Sequence, residues 1–446
     1  MEFEIDNDTL NDLEIFSRRS GDDGIRVLFK NTRTLGARDL LQKIMTEPLS
    51  DIESLNERLD LIKYFRDNDL TLDLSHNQVD LVEHYLNLNK RFLRNNPLDA
   101  LYDHLSNKIN IKPAYYIITQ GINNILRLFT VAKTVIDHAK GQANIPKVFR
   151  DDNLPGLLKD EFMVRMAGLK RNLNCFEINK LDPYFRKTKI KDVKRFLTFI
   201  YQLDVYESAA FVARKPGWSL PVFRQDFGEM NLKGLFHPDI ENPVLNDITV
   251  GGDQSLIFLT GPNMAGKSSL LKSLGLSVYL AHIGFPVPAQ SMETPVFKGM
   301  VTTINLSDNI GDGLSHYYSE IRRIKYAALK IVEKGSLFVI FDELFRGTNP
   351  KDAVDASLLI IQALIRIPNC IFLISTHHTE LAEQIGIAAQ VSFKYVESNF
   401  NDGVPQFSYK LRDGISHNRT GMYILKNEGV LDILDRAAGK PNDEDV

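Results

Sequence analysis

Cysteine is scarce in this sequence of 446 residues, in which Cys175 and Cys370 are the only two. They lie far apart and form none of the short Cys-x-x-Cys spacings that hold zinc or iron–sulfur clusters. Two isolated thiols also exclude the disulfide framework that holds small secreted domains together. The sequence therefore predicts ordinary buried thiols in a reducing compartment.

Long apolar runs and an excess of one charge are lacking as well. No run approaches the ~18 apolar residues of a membrane-spanning helix. The acidic N-terminal sequence MEFEIDNDTLNDLE has no apolar signal-peptide core. Lys and Arg number 53 and Asp and Glu 57, so the formal net charge is only −4, too small to attract nucleic acid to the whole chain. We expect a soluble cytoplasmic protein with no membrane partner, in which any DNA contact depends on a local basic patch.

The first half of the chain, up to about residue 225, favours helices over strands. Two predicted helices are long, residues 114–140 and 185–215. Asp182-Pro183 is typical of the start of the second, and Pro216-Gly217 of its stop. At 1.5 Å per residue each helix would extend on the order of 40 Å, a length that suits a strut or lever.

Beyond a boundary at residues 215–223, apolar strands alternate with helices, which predicts an α/β fold with a mostly parallel sheet. The predicted strands are 256–260, 337–341 and 371–375, and the predicted helices are 267–282, 319–333 and 352–367. Residues 390–396 and 406–411 predict an antiparallel pair at the edge of that sheet. The polar tail, residues 440–446, is predicted to be disordered.

The most informative segment is GPNMAGKS, residues 261–268, which lies between an apolar strand and a helix. A glycine, four residues and Gly-Lys-Ser form the phosphate-binding loop pattern, which needs this strand and this helix. Backbone N–H groups would hold the phosphates, Lys267 would reach the β- and γ-oxygens, and the Ser268 hydroxyl would bind Mg²⁺. The predicted nucleotide-binding residues are Gly261, Pro262, Asn263, Met264, Ala265, Gly266, Lys267, Ser268 and Ser269.

Two further strands end in polar residues suited to the same site. Asp342 is predicted to hold the Mg²⁺ shell, and Glu343 to orient or deprotonate the attacking water. His377, at the end of another strand, would sense the γ-phosphate. Each residue alone is more simply a polar group where a buried strand meets solvent, and Ser315 alone is more simply a helix N-cap. Together with the loop they favour ATP hydrolysis, with Glu343, His377 and Lys267 as catalytic residues.

These motifs resemble those of the MutS family of DNA mismatch repair ATPases, relatives of the ABC-type ATPases. The resemblance rests on GPNMxGKS, on Ser315-x-Tyr317-x-x-Glu320, on DExxRGT from residue 342 and on THxxEL from residue 376. Residues 34–49, 56–60 and 203–213 are similar to the family's helical core and lever. Residues 409–422 are similar to its closing block, with Thr420 where serine is commoner. The resemblance covers nearly the whole chain.

The resemblance implies an all-α core and lever domain, residues 1–225, and an ABC-type P-loop ATPase domain, residues 226–446. It implies that Asn263 contacts the γ-phosphate or the attacking water, and that Ser315 reaches ATP bound by a second subunit. Arg346-Gly347-Thr348 would form the adjoining dimer contact. The expected assembly is a homodimer with two composite ATP and Mg²⁺ sites, whose arms act on double-stranded DNA in mismatch repair or recombination.

The sequence departs from the family in several places. The core motif begins by Thr34, which leaves no room before it for the mismatch-reading and connector domains. The Phe-x-Glu strings 227–229 and 341–343 lie next to or inside the ATPase half, not in a reader that would wedge a phenylalanine between bases. Residues 141–184 are short for the family's DNA clamp. Pro243-Val244 replace the aromatic residue often stacked on adenine.

A basic segment, RKTKIKDVKR at residues 186–195, is the candidate DNA contact. Its positions 187, 191, 194 and 195 cluster on one helical face, with Lys170, Arg171 and Lys180 nearby in sequence. A solvated helix face is the alternative interpretation of the same pattern.

Two functions of different class stay open: an ATP-dependent DNA-binding protein, and an ATP-driven conformational switch that acts on protein partners. A nucleotide-binding scaffold without hydrolysis is disfavoured, because Lys267, Ser268, Asp342, Glu343 and His377 are all present.

Overall fold

The computed structural model describes residues 3–16, 24–109, 113–169, 172–262, 265–304, 316–345, 347–386, 388–401, 404–416 and 429–438. The chain forms two compact units. The helical unit contains residues 27–46 and 56–214, and the sheet unit contains residues 1–26, 47–55 and 215–446. The main boundary between the two units lies between residues 214 and 215. The N-terminal segments 1–26 and 47–55 belong to the same unit as the C-terminal half. The assignment of functional domains 1–225 and 226–446 stays a prediction.

Helices account for all the regular structure described in the helical unit. The α-helices of the described residues are α1 (Asn7–Asp12), α2 (Leu35–Thr46), α3 (Ile52–Asp67), α4 (His76–Leu86), α5 (Pro97–Ile109), α6 (Pro113–Lys140), α7 (Glu161–Ala167), α8 (Cys175–Pro183), α9 (Ile190–Ala213), α10 (Lys267–His282), α11 (His316–Lys334), α12 (Pro350–Leu364), α13 (Thr379–Ile385) and α14 (Val430–Ala437). None of them is long and apolar enough to cross a membrane.

The long helix α6 confirms the prediction for residues 114–140. Its buried residues recur every three or four positions, as in Ile118, Ile122 and Ile125, so one face packs inward. Gly121 does not break the helix. A side chain there would collide with Tyr85 of α4, since a Cβ would lie 2.3 Å from the Tyr85 Cβ. The glycine therefore allows α4 and α6 to approach closely.

The second long helix was predicted to start at Asp182-Pro183, and this boundary is wrong. Pro183 is the last residue of α8, a π-helical turn covers Tyr184–Thr188, and α9 begins only at Ile190. Asp182 is buried and accepts two hydrogen bonds from the Arg186 guanidinium, of 2.6 and 2.7 Å. This buried pair joins the end of α8 to the π-helical turn, which a sequence pattern of capping residues does not encode.

Two acidic residues of α9 connect the stretches that resemble the MutS core. Asp204 accepts hydrogen bonds from the backbone N–H groups of Arg33 and Thr34, at 3.0 and 2.9 Å. Burial raises the pKa of Asp204, against the opposing effect of these hydrogen bonds. Glu207 accepts from the Arg33 guanidinium at 2.9 Å and from the Leu72 N–H at 3.1 Å. Both carboxylates therefore fix the entry to α2 against α9.

The sheet unit contains two described sheets, so the chain as a whole is of mixed α/β class. The strands are β1 (Val222–Phe223), β2 (Met230–Leu235), β3 (Asn246–Val250), β4 (Leu256–Thr260), β5 (Ser291–Thr294), β6 (Gly299–Thr303), β7 (Leu337–Asp342), β8 (Ile371–Thr376), β9 (Val391–Asn401) and β10 (Val404–Asp413). The larger sheet has the order β10-β9-β4-β8-β7-β6, and the smaller one β1-β5-β2-β3. The predicted strands in β4, β7 and β8 are confirmed, as is the antiparallel pair β9–β10 at the edge. The smaller sheet was not predicted.

Parallel pairing brings three strand ends to one edge of the larger sheet. β4, β7 and β8 are buried along their whole length, in keeping with their continuous apolar sequences. In the ladder, Thr260 pairs with Thr376 and Asp342 pairs with Ser375. The polar residues that follow these strands therefore share the carboxyl edge of the sheet, where ligands bind in open α/β sheets.

Helices cover both faces of this sheet. Apolar residues of α11, α12 and α13, among them Ile331, Ile361 and Leu381, form one buried cluster with the strands. On the other face Gly275 of α10 lies so close to Ile340 that a Cβ would be 3.1 Å from the isoleucine Cδ1. α10 and α11, which flank the candidate site, are thus packed on opposite faces.

His282, the last residue of α10, is fully buried in neutral form. Its Nδ1 lies 2.7 Å from the Val278 carbonyl, and its Nε2 accepts a hydrogen bond from the Phe297 N–H at 2.9 Å. Burial lowers its pKa from 6.5 to about 4. Below pH 6.5 the unfolded chain binds a proton that the folded chain does not bind until about pH 4. The free energy of unfolding is therefore expected to fall by about 3 kcal/mol over this range.

Urea unfolding at several pH values, followed by fluorescence of the single Trp218 in the same unit, measures this loss. In His282→Gln the part of the pH dependence between pH 6.5 and 4 should disappear, although the protein is less stable throughout. His84→Gln, at an exposed histidine of α4, should keep the wild-type profile. An unchanged slope in His282→Gln would contradict the neutral buried ring.

Candidate nucleotide site

The predicted phosphate loop joins β4 to α10. Gly261 has φ +147° and Gly266 has φ +94°, backbone angles that other residues rarely adopt. Gly266 is the N-cap residue of α10, so the first N–H groups of the helix begin directly after the loop. Pro262 and Ala265 are buried, whereas Ser269 is exposed on the first helical turn. Residues 263 and 264 lie outside the described residues.

Lys267 is buried and folded back onto its own loop. Its Nζ donates hydrogen bonds to the carbonyls of Gly261, at 2.7 Å, and Pro262, at 3.2 Å. The side chain therefore already crosses the loop from the helix to the end of β4. An ammonium group in this position can exchange carbonyl oxygens for phosphate oxygens without moving far.

Ser268 and Asp342 meet at the carboxyl edge of the sheet. The Ser268 hydroxyl donates to Asp342 Oδ2 at 2.6 Å, and the Ser375 hydroxyl donates to the other carboxylate oxygen. A hydroxyl and one carboxylate held this close fit Mg²⁺, which takes oxygen ligands and usually keeps one or two protein ligands beside phosphates and water. The structure thus brings together both predicted magnesium ligands, and it adds Ser375, which orients the carboxylate and was not predicted.

Glu343 occupies a turn of unusual backbone conformation. Its φ is +61°, and Phe345 has φ +60°, both in the left-handed region that costs non-glycine residues about 1–3 kcal/mol. The Glu343 N–H donates to the Ser375 carbonyl at 3.0 Å, which ties the turn to the end of β8. Such strain persists only where surrounding contacts hold it, and it is common at functional sites.

The two histidines after β8 lie beside Glu343. His377 Nδ1 is 3.6 Å from Glu343 Oε1, and half of the His377 side chain is exposed. The ring centroids of His377 and His378 lie 4.0 Å apart, with the rings tilted by 38°. Burial, with the neighbouring His377, lowers the pKa of His378. His377, Glu343 and Asp342 therefore form one polar edge next to the loop.

Tyr409 is a candidate site residue that the sequence interpretation missed. Its ring lies beside Gly266, where a Cβ would be 3.1 Å from the Tyr409 Cδ1. The residue has φ +55° at a bulge of β10, and its carbonyl accepts from the Asn246 side chain at 3.0 Å. Because the ring is half exposed, it provides an aromatic surface at the loop that Pro243-Val244 cannot provide. Its position at the start of the closing block was the available signal.

Several predicted residues cannot be placed. Asn263, Met264, Ser315, Arg346, Thr420, Lys170, Arg171 and the tail, residues 440–446, lie outside the described residues. The predicted contacts of Asn263 and Ser315 with nucleotide, and of Arg346 with a second subunit, therefore stay predictions.

The basic segment 186–195 divides into two groups. Arg186 is buried against Asp182, so it cannot contact DNA, and Lys189 lies within 3.5 Å of carboxylates of Asp160 and Asp192. The other four cations, Lys187, Lys191, Lys194 and Arg195, are exposed. No described side chain forms an ion pair with any of these four. These are the four positions that the sequence analysis assigned to one face; Lys187 lies in the π-helical turn and the other three lie in α9.

Comparison with known proteins agrees with the motifs. The family model of MutS domain V matches residues 257–443, which start in β4 and contain the loop, Asp342, Glu343 and His377. DNA mismatch repair protein MutS of Petrotoga mobilis is 32% identical over 254 residues, 56% of this chain and 31% of that protein. MutS of Thermotoga sp. strain RQ2 is 30% identical over 289 residues, 62% of this chain and 35% of that protein. The MutS protein of Shouchella clausii is 28% identical over 250 residues, 54% of this chain and 28% of that protein.

The sheet unit is thus similar to the domain that this family model describes. The chain is similar to proteins of the MutS family over a little more than half of its length. It spans about a third of the length of the curated relatives it matches.

Proposed function

We propose that this chain binds ATP with Mg²⁺ and hydrolyses it, and that it acts as a MutS-type DNA repair protein on double-stranded DNA. The observation that carries the proposal is the convergence of Lys267, Ser268, Asp342 and Glu343 at one edge of the sheet. The names of the relatives support the DNA repair part.

Each residue has a separate role in this proposal. Lys267 and the first N–H groups of α10 bind phosphate oxygens, and Ser268 and Asp342 hold Mg²⁺. The metal, when bound, neutralises charge on the β- and γ-phosphates. Glu343 orients the attacking water or accepts its proton, and His377 contacts the γ-phosphate. The Tyr409 ring is placed to stack on the base, an interaction that tolerates any base.

A homodimer completes the proposed site. This step rests on the family resemblance of Ser315, which would contact ATP held by the other subunit. ATP bound between two subunits would stabilise the closed dimer, and hydrolysis would release it. The helical unit would follow this change and grip or release DNA.

A salt titration of DNA binding, with and without ATP, tests the DNA part. Replacement of the four exposed cations by Gln should weaken binding about tenfold or more. It should also reduce the slope of log K against log salt by about 0.9 for each phosphate that the variant no longer neutralises. Fluorescence anisotropy with duplex, mismatched and branched DNA gives both quantities. The substituted positions are Lys187, Lys191, Lys194 and Arg195.

A matched variant removes four positive charges elsewhere in the helical unit. It replaces exposed cations by Gln at Arg38, Lys63, Lys90 and Arg127. This control should bind DNA with nearly wild-type affinity. If neither variant differs from wild type, the basic face has no role. If no DNA shows nucleotide-sensitive binding, the DNA part of the proposal fails.

The second candidate function is an ATP-driven switch that acts on protein partners. One observation favours it: α5 exposes four apolar side chains at spacings of three and four residues, Leu98, Leu101, Tyr102 and Leu105. An exposed apolar stripe of this kind suits a protein contact better than a phosphate backbone. ATP hydrolysis without nucleotide-sensitive DNA binding would select this candidate over the first.

A further inference from the structure

The N-terminal segment forms part of the sheet unit. Residues 3–16, here called the N-terminal strap, begin beside β6 at the end of the larger sheet. The Glu4 N–H donates to the Lys298 carbonyl, and the Glu4 carbonyl accepts from the Met300 N–H, both at 2.8 Å. The strap thus pairs with the edge of β6 before it turns into α1. The acidic N-terminal sequence therefore has a structural role in the sheet unit.

The strap holds α11 through a buried arginine. Arg323 of α11 is 7% exposed, and its guanidinium pairs with the Asp6 carboxylate. The same guanidinium donates to Thr9 Oγ1 at 3.0 Å and to the Thr302 carbonyl at 2.7 Å. One side chain of α11 is therefore joined to the strap and to the end of β6 at once. A buried guanidinium that forms several charge-assisted hydrogen bonds stabilises its partners and also fixes their orientation.

A second set of contacts fixes the end of β6 and reaches α10. Asp12 accepts from the Thr302 hydroxyl at 2.7 Å and from the Ile304 N–H at 2.8 Å. Glu14 accepts from the Lys272 ammonium of α10 at 2.8 Å. The strap therefore contacts both helices that flank the candidate site, on opposite faces of the sheet.

The other end of α11 lies against the strained turn that carries Glu343. Tyr317, in the first turn of α11, packs on Phe345 with ring centroids 5.6 Å apart. Phe345 is buried and lies two residues after Glu343. Since Glu343 and Phe345 both have positive φ, this turn depends on its packing partners for its conformation. A displacement of α11 would therefore shift this turn and move the Glu343 carboxylate.

We propose that Arg323 is a positioning residue for ATP hydrolysis, held by the N-terminal strap and acting through α11 and Tyr317 on the turn of Glu343. This inference rests on the proposed ATPase function. Arg323 touches no nucleotide in this scheme. Its effect is to keep the carboxylate of Glu343 where it can act on water, so it contributes to turnover and not to ATP affinity.

Steady-state ATP hydrolysis by the full chain, normalised to the amount of bound nucleotide, tests the proposal. Asp6→Asn keeps the N-cap of α1, because asparagine caps as well as aspartate, but removes the charge that faces Arg323. We expect kcat to fall about tenfold in Asp6→Asn and in Tyr317→Leu, with KM within about twofold of wild type. The double variant should be no slower than the slower single variant, because both changes interrupt one path.

Two conservative variants serve as controls. Asp8→Asn makes the same change two residues away, at a carboxylate that is 78% exposed and 3.6 Å from Arg323. Tyr317→Phe keeps the ring that packs on Phe345. Both should retain nearly wild-type kcat. Equal kcat in Asp6→Asn and Asp8→Asn would overturn the proposal.

Hydrogen exchange gives a readout that needs no hydrolysis. Peptides from α11 and from residues 341–345 should exchange faster in Asp6→Asn than in wild type or Asp8→Asn. Unchanged exchange in Asp6→Asn would also overturn the proposal. If the wild-type protein hydrolyses no ATP, the proposed ATPase function is wrong. The hydrogen-exchange rates then decide separately whether the strap restrains the turn of Glu343.

Discussion

Replacement of Lys267 by alanine should abolish measurable nucleotide binding, because this ammonium group is the one positioned to bind phosphate in the described part of the loop. The Lys267 ammonium is the one cation that crosses the described part of the loop, with its Nζ 2.7 Å from the Gly261 carbonyl. Loss of its charge-assisted bonds to phosphate should cost about 3 kcal/mol or more, a factor of ~100 in Kd. Titration with a fluorescent ATP analogue and Mg²⁺ measures this directly. The fold should persist, because the two hydrogen bonds of the Lys267 ammonium described above both stay within its own loop.

Lys272→Ala is the matched control for this result. Lys272 lies one and a half turns further along α10, where it pairs with Glu14 of the strap. The variant loses the same charge from the same helix but should keep its affinity for nucleotide. Equal affinity in wild type and Lys267→Ala would show that the loop does not bind phosphate, and the proposed function would then fail at its first step.

Glu343→Gln should bind ATP as wild type does and hydrolyse it very slowly. Gln is isosteric and keeps the backbone bond from residue 343 to the Ser375 carbonyl, so the strained turn is retained. It cannot accept a proton from water, and loss of a general base lowers kcat by about 10²–10⁴. Single-turnover hydrolysis and the Kd for ATP separate the two effects. If the composite site exists, ATP should also trap a dimer, which light scattering after gel filtration would detect.

Glu380→Gln controls for the loss of a carboxylate near the same strand end. Glu380 is 59% exposed and lies beside His378, 3.5 Å from its Nδ1. Its replacement should leave turnover close to wild type. Wild-type turnover in Glu343→Gln would remove Glu343 from the catalytic role, and a trapped monomer would count against a site shared by two subunits.

Five of the six described strands of the larger sheet, all except β6, could be predicted from sequence because their signals are local. LIFLT, LFVIFD and IFLIST are largely apolar runs that each end in a polar residue, and they fold as β4, β7 and β8. Parallel pairing then forces Ser268, Asp342 and Glu343 to one edge. The position of the candidate site could therefore be predicted from where these strands end, without knowledge of contacts between residues distant in sequence.

The features that were missed depend on contacts between residues distant in sequence. The start of α9 is displaced by the buried pair Asp182–Arg186 and its π-helical turn, which no capping pattern reveals. Tyr409 reaches Gly266 only because β10 bulges and turns its backbone to positive φ. Asp6 of the strap pairs with Arg323, more than 300 residues away in sequence. The acidic sequence of the strap by itself predicts only a solvent-exposed chain end.

The strap also closes an edge of the larger sheet. β6 is the last strand in the sheet order, and Glu4 forms hydrogen bonds with the Lys298 carbonyl just before β6 and with the Met300 N–H within it. A fragment that starts at residue 226 would leave these backbone groups open, and an open strand edge is a template for pairing with other chains. Residues from the beginning of the chain thus cover part of this strand edge, so the sheet unit is assembled from both ends of the sequence.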